Sequence, residues 1–192
     1  MLILLTALLA VTVQGGAGPG EAPIRIDRTM PQPQRLRVSQ PKYPEEAQKV
    51  GLQGIVLVEA AVDIQGRITD ATAIRGDQPL SDAAVSAVKK WRYEPLMVEG
   101  KRKPFVVTVQ VNFASRAQVL KVSDFFEALS SKYEAVREAA VTWLGALKPG
   151  PPGHRSPDFP RAKRDLRRLL EHERSPRVRA AIEKALAQLD SL

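Results

Sequence analysis

The nine residues Phe105–Phe113, FVVTVQVNF, alternate with period two, setting Phe105, Val107, Val109, Val111 and Phe113 on one face and Val106, Thr108, Gln110 and Asn112 on the other. No helix has that period, so the chain must build a sheet and cover one of its faces. Pro104 cannot donate to a ladder, which suits a strand at the edge of that sheet. Residues 54–63, GIVLVEAAVD, give a second strand with Val56, Val58, Ala60 and Val62 facing together. Asp63-Ile64-Gln65-Gly66 supplies turn chemistry before residues 68–74 resume β-type sequence, so the two runs form an antiparallel hairpin, with a slip in alternation near Asp70 and Ala71 that permits a bulge. Ser81 is placed to cap a helix in which Ala84, Val85, Val88 and Trp91 recur at helical spacing and face the hairpin. The fold class expected is α+β: a small antiparallel three-stranded sheet with packed helices over residues 36–114.

The chain before this region reads differently. Residues 1–13, MLILLTALLAVTV, are apolar and uncharged and lead into Gly15, Gly16, Ala17 and Gly18, as in a secretory signal peptide ending near residue 17, although no Lys or Arg precedes the run. As a helix at ~1.5 Å per residue it covers roughly 20 Å, short of the ~30 Å hydrocarbon core. The expectation is an exported, periplasmic protein, with inner-membrane anchoring as the alternative if the apolar N-terminus is retained. Residues 18–35 form a Pro-containing linker; six prolines occur from Pro19 to Pro44 inclusive. With 29 Lys+Arg against 21 Asp+Glu the net charge is +8, and the absence of cysteine excludes disulfides, thiolate metal sites and thiol nucleophiles.

In series, QPKYP (40–44), Ala47, Gly51, Gly54, the VDIQG turn (62–66), Pro79, LSDAA (80–84), Val88, WRYEP (91–95) and Gly100 resemble the C-terminal domain of TonB energy transducers. That resemblance implies a domain that contacts an extended peptide of an outer-membrane TonB-dependent receptor, the peptide adding as a strand in energy-coupled transport. The partner-binding residues it implies are Gln40, Pro41, Tyr43 and Pro44 on the entry segment, and Phe105, Val106, Val107, Thr108, Val109, Gln110 and Val111 on the edge strand. A homodimer and inner-membrane motor proteins are further partners it implies. The same edge has another reading, in which the linker or a second copy of the domain merely protects it. Full transducers pair this domain with a long transmembrane helix bearing a motor-contacting His and a long Pro-rich spacer. Here the only histidines are His154 and His172, so a soluble adaptor stands beside the transducer as an expectation.

Residues 117–192 contain a repeat. Val136-Arg137, Ala139-Ala140, Leu144 and Leu147 match Val178-Arg179, Ala181-Ile182, Leu186 and Leu189 at an offset of 178 − 136 = 42. That period resembles HEAT-like helical repeats. Two repeats are too few to bury a continuous core, so they must lean on the sheet domain or a partner, or close as a four-helix bundle. A periplasmic scaffold using this tail for protein–protein contact is the alternative function.

No nucleophile elbow, HExxH helix, phosphate loop or Cys/His cluster is present, so neither catalysis nor a metal or other cofactor is expected. The basic run Arg161, Lys163, Arg164, Arg167 and Arg168 has no interleaved aromatics to stack bases and reads as a solvated face, with an anionic lipid or glycan contact as the alternative, rather than a nucleic-acid site. Arg75-Gly76-Asp77 before Gln78-Pro79 is ordinary turn chemistry rather than an adhesion motif.

Overall fold

The computed structural model describes residues 22–27, 30, 32–114, 120–150 and 156–192. The expected signal peptide and the first residues of the linker lie outside them.

Two short strands, β1 (Ile24–Arg25) and β2 (Arg35–Arg37), precede a one-turn helix, α1 (Glu45–Lys49). The hairpin follows as β3 (Gly54–Val62) and β4 (Ile68–Arg75), then α2 (Leu80–Val88). Next come β5 (Arg92–Tyr93), the small hairpin β6 (Leu96–Val98) and β7 (Lys101–Lys103), and β8 (Phe105–Phe113).

The main sheet has the order β1-β8-β3-β4, so it has four strands rather than three. β1 pairs in parallel with β8, while β8 and β4 each pair antiparallel with β3. The β3–β8 ladder runs without a shift from Gly54↔Phe113 to Val62↔Phe105. The β3–β4 ladder shifts between Ala61 and Val62, next to the position where the sequence alternation slips.

β8 alternates as its sequence dictates: the five inward residues are buried and Thr108, Gln110 and Asn112 are exposed. Together with Val56, Val58, Ala60 and Val62 they meet Leu80, Ala84 and Val88 of α2 in one core. Trp91 lies just past the end of that helix, 4% exposed, with its indole N–H donating to the Ser39 carbonyl at 2.9 Å. Ser81 does not cap α2. The helix starts at Leu80 with no side-chain cap, and Ser81 instead donates its backbone N–H to the Asp77 carbonyl. Gly66, at φ 79°, passes so close to β5 that a Cβ there would lie 1.9 Å from the Tyr93 carbonyl oxygen, which only glycine permits.

The tail is two helical hairpins: α3 (Val122–Ala128) with α4 (Glu134–Gly145), and α5 (Asp158–His172) with α6 (Pro176–Asp190). α4 and α6 are the inner pair, and a Cβ on Gly145 would lie 2.6 Å from the Ala185 Cβ. Their buried residues Val136, Ala140, Leu144, Val178, Ile182 and Leu189 form a second core that also takes in Val50, which follows α1. Leu52 packs against both cores, and Arg177 pairs with Asp77 at 2.9 Å. The hairpins therefore lean on the sheet domain.

Candidate partner-strand edge

β3 takes up one side of β8 for its whole length. On the other side β1 meets only its start, with Ile24 N–H donating to the Pro104 carbonyl at 3.0 Å and Ile26 N–H to the Val106 carbonyl at 2.9 Å. The expectation of an outermost strand therefore needs correcting: β8 is second in the sheet, Ile26 continues the register opposite Val107, and residues 108–113 lack a paired strand on that side among the described residues. A two-residue strand set among prolines has no periodicity to reveal it.

The direction of the unpaired groups follows from β1. The carbonyls of Pro104 and Val106 point toward it, and main-chain groups switch sides at each residue of a regular strand. Thr108, Gln110 and Asn112 therefore turn N–H and C=O to the open side, while Val107, Val109 and Val111 turn theirs to β3. Of the residues the sequence reading placed on this edge, Phe105, Val107, Val109 and Val111 have their side chains in the core, and Val106 is already opposite Arg25. Thr108 and Gln110 combine an exposed side chain with outward main-chain groups. Asn112 belongs with them; continuing the same alternation two residues further would have found it.

The entry segment meets the sheet through the core near the end of β8, on the side of β3 and not on the open side. Tyr43 packs edge-on against Phe113, ring centroids 5.5 Å apart, and donates its hydroxyl to the Leu52 carbonyl. Desolvation holds its phenol above the usual tyrosine range. Tyr43 thus fixes the segment to the sheet domain. Pro44 is half-buried at the start of α1, its carbonyl accepting the Gln48 N–H; Pro41 is half-buried and Gln40 exposed. The outward face beside the edge carries Glu59 on β3, which pairs with Arg25 of β1, two residues that sequence reasoning did not single out.

The other motifs are engaged in structure. Asp77 of the Arg-Gly-Asp tripeptide is held by Arg177. In the basic run, Arg161 sits 3.9 Å over the Phe126 ring and bonds Asp165, while Lys163 and Arg167 pair with Asp190. Among the described residues no cluster of His, Cys, Asp or Glu could hold a metal ion, and no helix is long and apolar enough to cross a membrane.

Residues 39–114 match the family model described as Gram-negative bacterial TonB protein C-terminal. Protein TonB of Xanthomonas campestris pv. campestris (strain B100) is 36% identical over 76 residues, covering 38% of this chain and 34% of that protein. Protein TonB of Vibrio cholerae serotype O1 (strain ATCC 39315 / El Tor Inaba N16961) is 29% identical over 76 residues, covering 38% and 31%. The chain thus spans about a third of the length of these curated relatives. A solved structure, the solution NMR structure of Pseudomonas aeruginosa TonB CTD, aligns at 27% identity over 55% of this chain and 99% of that one, with a TM-score of 0.38.

Proposed function

Residues 39–114 belong to the family of TonB C-terminal domains, and from that premise we propose that the chain is a cell-envelope binding protein that grips an extended peptide of an outer-membrane receptor by strand addition. It works in energy-coupled transport as a TonB-like transducer or adaptor, on the periplasmic side, and binds rather than catalyses. The observation that carries this reading is the unpaired edge of β8, where Thr108, Gln110 and Asn112 offer alternating donors and acceptors to an incoming backbone. In this reading the edge supplies affinity through main-chain hydrogen bonds, and Tyr43 and Pro44 hold the entry segment to the body of the sheet domain.

The tail is read as a HEAT-like pair that stiffens the sheet domain. Arg137 donates to the Ser131 carbonyl and Arg179 to the Glu173 carbonyl, and 179 − 137 and 173 − 131 both equal 42, so each hairpin ties its inner helix to the preceding turn in the same way. α4 and α6 start at Glu134 and Pro176, again 42 apart.

Calorimetric titration with an extended peptide from an outer-membrane receptor tests the binding reading. Thr108→Pro or Gln110→Pro removes an outward N–H and fixes φ while sparing every hydrogen bond to β3, so each variant should keep its circular dichroism and lose the peptide. Unchanged binding by both folded variants would remove strand addition at this edge and leave the scaffold reading in its place.

A further inference from the structure

We infer that β1 is an internal occupant of the partner-strand edge, and that a partner seats fully by replacing it with an apolar–cation–apolar triplet running parallel to β8. The inference rests on the strand-addition reading.

β1 already does to β8 what an added strand would do. It runs parallel, with Ile24 opposite Phe105 and Arg25 opposite Val106, and it bonds the outward carbonyls of Pro104 and Val106. Its side chains alternate as a guest strand's must. Ile24 and Ile26 turn inward against the first core, Ile26 being only 9% exposed. Arg25 turns outward and reaches across β8 to Glu59. The edge thereby selects a chemistry: apolar, cationic, apolar at successive positions.

The occupant is short. It contributes two paired residues against the nine of the β3–β8 ladder, and its Arg25–Glu59 ion pair is exposed, with the Arg25 side chain 69% accessible. Exposed pairs of this kind hold weakly. A longer guest in the same register would keep the Pro104 and Val106 contacts and add those of Thr108, Gln110 and Asn112, all on the same side of β8. What keeps β1 in place is its tether, which gives it a high effective concentration at the edge. A free peptide must exceed that advantage, and length is how it can.

The probe is a synthetic peptide of residues 22–27, Ala-Pro-Ile-Arg-Ile-Asp, titrated in trans into the full ¹⁵N-labelled chain and into its Arg25→Glu and Ile26→Ser variants. Arg25→Glu sets like charge against Glu59 without touching the core, so it remains informative if Ile26→Ser folds poorly. In the parent the tethered copy should exclude the probe. Arg25→Glu should bind it at least tenfold more tightly, with shifts at the Val106 and Thr108 amides, and Arg25→Lys should behave as the parent. Equal affinity of parent and Arg25→Glu for the probe overturns the inference whatever a receptor peptide does. Tight probe binding by the variant, with no receptor peptide binding to any form, upholds the internal occupant and removes the receptor reading alone.

Discussion

Arg137 and Glu173 face each other in two hydrogen bonds of 2.8 and 3.0 Å, with the Glu173 side chain 5% exposed. Burial on its own would raise the Glu173 carboxyl, but the guanidinium and the backbone N–H groups of Ser175 and Arg174 outweigh it and hold the group below its ordinary range. Removing the cation leaves a buried charge unanswered. Arg137→Ala should therefore cost about 3–5 kcal/mol in urea unfolding, and Arg137→Met with Glu173→Leu should recover most of it. The pH dependence follows from the direction of the shift. A carboxyl whose folded pKa is depressed stabilises fully above its unfolded value, ~4.3, and loses that contribution as pH falls through the folded value. Unfolding free energy should thus drop as the solution is acidified below about pH 4.5, and less steeply in the Arg137→Met, Glu173→Leu pair.

Elements were legible in proportion to their periodicity. β8 has nine residues of clean alternation and takes up the burial its letters call for. The 42-residue offset likewise falls on the buried seam of α4 and α6. β1 has only Ile24-Arg25 between prolines, and its place depends on a distant strand, so no local pattern could reveal it. The candidate edge was half legible: its residues could be listed, but which main-chain groups face outward depends on which neighbour takes the other side. The seam itself makes a prediction. A methyl group at Gly145 collides with Ala185, so Gly145→Ala should destabilise by about 1–3 kcal/mol despite alanine's better helix propensity, and adding Ala185→Gly should relieve it in thermal unfolding.

At the scale of the molecule the two cores meet through Val50 and Leu52, beside the Arg177–Asp77 pair. The parent should then melt in one calorimetric transition, with calorimetric and van't Hoff enthalpies equal, whereas Val50→Asp, which buries a charge at the junction, should separate two. The long ladder between β3 and β8 has a mechanical meaning as well. A load directed along a strand is shared by all its hydrogen bonds at once, while a load directed across it opens them one after another. With nine pairs in unbroken register, β3 and β8 are therefore stiffest against sliding past each other and weakest against peeling from an end.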